Sequence, residues 1–220
     1  MDSGWVRKNT YATTSSSWGQ VTPLPFFGSD EDLVEALRKG HPGAAKAFYD
    51  RYADVVDRVL SRVVGADDDR LPELIEDAFL RAIDGIGRLR DPARLQVWVA
   101  TAAVSAARAH LRGRSRAPVP ARGADERPHA ARATDALARA MYAVYDVFAT
   151  MPVDERIVLA LRVVDAMPLG EIAEVCRVSV GQLKRRLRRA EARFVAAARR
   201  DAVLRPWLDR GSRWTLPILG

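Results

Sequence analysis

Apolar residues recur along this chain at intervals of three and four. No stretch alternates with the period of two that a half-buried strand requires. Leu33, Val34 and Leu37 share one face of a first helix, with Asp30 as N-cap and Gly40 and Pro42 closing it. A second helix spans about Gly43 to Val64, with Phe48, Tyr52, Val55, Val56, Val59, Leu60 and Val63 at helical spacing and Gly65 as its stop. A third begins near Pro72, a residue suited to a first helical turn. Its inner face is predicted as Ile75, Phe79, Ile83 and Ile86, and its outer face as Glu73, Glu76, Asp77, Arg81 and Asp84. Asp91 and Pro92 form a cap-like pair before a fourth helix from Leu95 to about Arg112, with Trp98, Val99, Ala102, Ala106 and Leu111 inward. Periodicity returns in a helix from Ala136 to Thr150 (Leu137, Met141, Val144, Tyr145 and Phe148). Another follows, opened by Pro152 and buried through Ile157, Val158, Leu161 and Val164. The pattern predicts an all-α fold of two small helical domains.

The segments between and around these helices read differently. Residues 1–29 are rich in Ser, Thr, Pro and Gly without period and are expected to be a disordered or weakly docked arm. Residues 113–133 are rich in Pro, Gly and Arg, as a flexible interdomain linker is. The first domain is then 30–112, the second 134–200, and 201–220 a tail whose simplest role is to cap the last helix.

Composition narrows the chemistry. The 220 residues are 48% hydrophobic and 29% charged, ordinary for a globular protein. A single cysteine, Cys176, leaves no intramolecular disulfide or cysteine-based metal site, and it falls where an apolar residue should pack. His41, His110 and His129 show no ligand spacing. No phosphate-binding glycine loop and no nucleophile–base pair is present, so neither an enzyme nor a cofactor is expected. Arg7 and Lys8 are followed by no apolar run, and the stretch from Leu95 to Ala107 is too short to span a bilayer. No membrane insertion is expected, and a cytoplasmic protein is the simplest reading.

Charge points to a partner. The net charge is +7, yet the segment from Arg177 to Arg200 alone carries nine basic residues against Glu191, a net +8. The stretch from Asp30 to Asp91 is net −5, whereas Ser105 to Arg132 is net +5. A helix that concentrates positive charge in this way usually meets phosphate.

Leu169 to Phe194 reads as two short helices joined by a tight turn. A helix-turn-helix needs a small residue where the helices touch, an apolar residue in the turn and a buried i, i+4 pair on the second helix. Ala173, Val178, and Leu183 with Leu187 fill these places, Ala190 and Phe194 extend the buried row, and Ser179 suits the N-cap. The opposite face shows Gln182, Arg185, Arg186 and Arg189, residue types that read adenine and guanine edges in the major groove. Lys184, Arg188 and Arg193 flank that face and suit phosphates.

Two blocks of the chain together resemble the extracytoplasmic function group of the sigma-70 family of bacterial RNA polymerase factors. DEDLVEALRKGHPGAAKAFYDRYADVV, LPELIEDAFLRAI and LQVWVATAAVSAARAHLR are similar to region 2; MPVDERIVLALRVVDAMPLGEIAEVCRVSVGQLKRRLRRAEARF is similar to region 4. The resemblance implies a promoter-specificity subunit of core RNA polymerase, with an anti-sigma factor as a further partner. It places Glu73, Glu76, Asp77, Phe79 and Arg81 against the β′ clamp helices and implies a contact of region 4 with the β flap. It assigns Arg94, Gln96, Trp98, Thr101, Ser105, Arg108 and Arg112 to the −10 element, where a flipped single-stranded base is captured. Ser179, Gln182, Lys184, Arg185, Arg186, Arg188 and Arg189 would read the −35 element as duplex. A flexible linker would let two modest affinities act together. The chain departs from the family at Thr101 and Ser105, where Arg and Asn are frequent, at Glu76, usually Gln, and at Arg177, usually a turn glycine. These departures keep two other readings open: a degenerate sigma-like interaction protein, and a helix-turn-helix regulator without promoter-opening activity.

Overall fold

The computed structural model describes residues 26–116, 136–163 and 166–209. Nearly all of the proposed arm, the linker from 117 on, Val164 and the tail beyond 209 lie outside them. Among the described residues the regular structure is helical throughout: α1 (Asp30–Arg38), α2 (Ala44–Val64), α3 (Leu71–Asp84), α4 (Leu95–Arg116), α5 (Ala136–Ala149), α6 (Val153–Val163), α7 (Leu169–Val175), α8 (Val180–Ala198) and α9 (Arg205–Asp209), with two 3₁₀ turns before α4.

The first half wraps α1, α3 and α4 around α2. Leu33, Val34, Phe48, Val56, Val59 and Leu60 are fully buried, and the Phe48 ring meets Phe79 edge-on at 5.5 Å. Burying a side chain of this size contributes about 1.5–3 kcal/mol, so this aromatic centre is a main support of the half. Ser29 rather than Asp30 caps α1, in a reciprocal box with Asp32. Asp30 instead accepts the Tyr52 hydroxyl and the Arg51 guanidinium, tying α1 to α2. On α3 the buried line is Leu74, Ala78, Phe79 and Ala82, with Ile75 and Ile83 at its margin. The face predicted from the larger residues was rotated because small alanines allow the close approach to α4. Helix α4 runs to Arg116, into the stretch read as linker.

The second half is organised by α6. Residues Glu155 to Leu161 are buried without interruption, because α6 packs on α8 and also on α2 and α4 of the first half. The two halves are therefore packed against each other through α6. Its keystone is Arg156. The Nε donates to the carbonyl of Val63 at 2.8 Å and a terminal nitrogen to that of Val64 at 3.1 Å. These are the last carbonyls of α2, which have no partner within the helix and stand at the negative end of its dipole. Burial and the neighbouring Arg114 charge press the Arg156 pKa down to about 10, against the attraction of Asp68, so the group stays charged at neutral pH. On α5 the inward residues are Ala140, Ala143, Val147 and Phe148; Met141, expected inside, is exposed.

Candidate nucleic-acid interface

The turn between α7 and α8 is built by backbone rules. Cys176 ends α7 and Arg177 follows in the left-handed conformation, with φ 55°. The Val178 amide then reaches the Ala173 carbonyl and the Arg177 amide that of Glu174, both at 2.9 Å, the bond pair that closes a helix around a left-handed residue. Ser179 starts α8 with a capping box. Its hydroxyl accepts the Gln182 amide at 3.2 Å, and the Gln182 side chain accepts the Ser179 amide at 3.0 Å. Leu183, Leu187, Ala190 and Phe194 are buried, as their spacing predicts, and Ala173 is buried at the crossing.

That row aims the rest outward. Gln182, Arg185, Arg188 and Arg189 are exposed, and Lys184 and Arg186 are half-buried at the edges of the row. One face of α8 thus presents donors to solvent in the sense a major groove requires. The polar Gln182 is held at the helix start by its own cap. Cys176 lies beneath the motif, and burial pushes its thiol up to about 11 against the nearby Arg108 and Arg186 charges, leaving it a protonated core residue.

The region 2 candidates are less uniform. Gln96 is exposed near the start of α4. Trp98 lays its ring on Gly85, where even a Cβ would meet it at 2.7 Å, and donates to the Ala82 carbonyl at 3.0 Å. Thr101 is buried and donates to Val97, and Ser105 donates to Thr101, each to the carbonyl four residues back. Neither hydroxyl is presented outward. Arg94 is paired with Glu174 of α7, and Arg108 and Arg112 with Asp154 of α6. On α3, Glu73 and Glu76 are exposed, Asp77 pairs with Arg81 at 2.9 Å, and Leu80 is 54% exposed among them. Phe79 faces the other way, into the core.

Sequence reasoning missed Asp154, Glu155, Arg156 and Glu174. Glu155 accepts Arg193 at 2.9 Å. A signal was available: the first turn of α6 carries three successive charged residues immediately before an apolar run, and a helix buried all round must supply partners to each.

Among the described residues no group of His, Cys, Asp or Glu could hold a metal ion, and no helix is long and apolar enough to cross a membrane. The Sigma-70 region 2 family profile matches residues 48–117 and the Sigma-70, region 4 profile residues 141–194. The chain is 26% identical to the ECF RNA polymerase sigma-E factor of Haemophilus influenzae over 175 residues, 74% of this chain and 91% of that protein. It is 27% identical to the RNA polymerase sigma-H factor of Pseudomonas aeruginosa, over 73% of this chain and 89% of that one. The sigma-E factor of Escherichia coli K12 is 25% identical over 74% and 90%. Among solved structures, CnrH in complex with the cytosolic domain of CnrY shares the fold, with a TM-score of 0.54 and 19% identity over 79% of this chain and 99% of that one. The two sigma-70 regions in order, on a body whose described residues form helices, and sigma relatives matched over about nine-tenths of their own length lead to one assignment: the chain belongs to the extracytoplasmic function group of the sigma-70 family.

Proposed function

We infer that this protein is a promoter-specificity subunit of RNA polymerase that directs transcription initiation and has no catalytic step of its own. The observation that carries the reading is the outward row of α8, Gln182, Arg185 and Arg189, set by a buried row on a capped helix-turn-helix. This row suits duplex readout at the −35 element, with Ser179, Lys184, Arg186 and Arg188 as flanking contacts. Glu73, Glu76, Asp77 and Arg81 with exposed Leu80 offer an acidic and apolar surface fit for the β′ clamp helices; buried Phe79 supports it from beneath. Arg94, Gln96, Trp98, Arg108 and Arg112 are the groups we assign to the −10 strand, Trp98 being already anchored at its indole nitrogen. Region 4 would also meet the β flap. An anti-sigma factor is a further proposed partner, supported by the fold shared with CnrH, whose solved structure holds the cytosolic domain of CnrY.

Thr101 and Ser105 favour a second reading of region 2. Hydroxyls bonded to their own helix give a displaced strand little to hold, which fits a factor that binds duplex and polymerase but opens DNA weakly. Transcription reconstituted from core polymerase and this protein over a genomic fragment library decides between them. Initiation at a shared promoter motif is expected. Duplex binding with no permanganate-reactive bubble at any fragment would favour the second reading, and no initiation with no polymerase binding would end both.

A further inference from the structure

Arg108, Arg112 and Arg186 belong to different reading faces, yet one carboxylate gathers all three. Asp154 accepts Arg108 Nε on Oδ1 at 2.8 Å and an Arg112 terminal nitrogen on Oδ2 at 3.2 Å, and an Arg186 nitrogen stands 4.0 Å from Oδ1. Arg108 and Arg112 lie one turn apart on α4, whereas Arg186 projects from α8. Their meeting place is the first turn of α6, wedged between the halves. Burial opposes ionisation of Asp154, but the Arg108 hydrogen bond and the charges of Arg108, Arg186 and Arg112 outweigh it and hold the carboxyl below its usual range. The side chains of Arg108 and Arg186 keep only 22% and 24% of their exposure. A second bridge repeats the arrangement, since Glu174 of the helix-turn-helix holds Arg94, the last residue of the 3₁₀ turn that leads into α4.

We propose that Asp154 is an internal competitor for DNA, an autoinhibitory latch that holds the halves closed by occupying arginines that promoter phosphates and bases need. This rests on the reading of those arginines as DNA contacts. A carboxylate and a phosphate oxygen ask the same thing of a guanidinium, so the two cannot be served together. Closure also fixes α4 against α6 and α7, which prevents the halves from spreading along a promoter. The closed protein therefore binds DNA only to the extent that it opens, and its apparent affinity falls by the open fraction. A partner that holds the two halves apart frees three arginines at once.

The test uses the full chain, Asp154→Asn, and a fluorescein-labelled duplex of random sequence, because the latch acts on charge rather than on a base. Asparagine keeps the size and suits the first turn of a helix, while the three cations lose their common anion. The radius of gyration from small-angle X-ray scattering is expected to rise, and the duplex to bind roughly tenfold more tightly, the scale of one charge-assisted contact set. Glu174→Gln is expected to shift both readouts in the same direction by less, and it carries the test if Asp154→Asn does not fold. Arg108→Ala and Arg186→Ala are measured in parallel. If neither weakens duplex binding, the assignment of those residues to DNA fails. If they do weaken it while Asp154→Asn leaves size and affinity unchanged, the latch is overturned. It is also overturned if Asp154→Asn binds DNA more weakly, since Asp154 would then orient the arginines rather than compete for them.

Discussion

At single residues the molecule records two departures from easy chemistry. Arg177 occupies the left-handed region that closes α7, a conformation that costs a residue with a Cβ on the order of 1–2 kcal/mol. Arg177→Gly removes that cost but adds freedom to the unfolded chain, so a net gain of about 0.5 kcal/mol is expected in urea unfolding. Cys176 is the second case. Its thiol ionises near 9 ordinarily and near 11 in the fold, so the folded state keeps a proton that the unfolded chain releases between those values. Stability from this group is complete below about pH 9 and is lost as pH rises toward 11. The difference in unfolding free energy between the protein and Cys176→Ala should be flat to pH 9 and shrink above it. Iodoacetamide at neutral pH should label Cys176 only in denaturant.

Among the elements, α8 was almost wholly legible from its letters, and α6 was not. The buried row of α8 repeats every third or fourth residue, its cap is a serine, and its charge is basic but for Glu191, so the buried and outward faces follow from the sequence. Arg185→Ala is expected to cost about 1–3 kcal/mol at one base position and relax specificity there. Arg186→Ala should lower −35-dependent transcription. Arg188→Ala should instead weaken every sequence alike and reduce the slope of log K against log salt by about 0.9, both read by fluorescence anisotropy. Helix α6 resisted reading because its environment comes from elements far away in the chain. Asp154, Glu155 and Arg156 look like a solvated first turn, and only packing against α2, α4 and α8 buries Glu155 and Arg156 and brings partners to all three. The inner face of α3 was misplaced for a related reason: Ala78 and Ala82 are weak hydrophobic signals but the right size for close packing on α4. The Arg and Asn expected on α4 are likewise replaced by Thr101 and Ser105, whose inward bonding no periodicity announces.

Across the whole molecule, the question is whether the two halves fold and open as one. Arg156 gives the physical link, because it belongs to the second half yet satisfies the last carbonyls of α2 in the first. Removing it leaves buried acceptors unpaired, a loss of about 1–3 kcal/mol for groups that water cannot reach. The cost falls on the contact between halves rather than on either core, since Phe48 and Phe148 keep their own neighbours. Native-state hydrogen exchange can separate the two possibilities. In the unaltered protein the amides of α4 and of α6 should open with the same free energy, as one cooperative unit. In Arg156→Met, which keeps much of the length but none of the donors, α6 and α8 should exchange by a separate and easier opening, while the central amides of α2 keep their protection. Equal slowing or equal loss across both halves would mean that Arg156 supports the fold as a whole and that the joint between the halves lies elsewhere. The expected split would instead identify α6 as the hinge element on which a promoter-reading protein passes from a closed body to two separated readers.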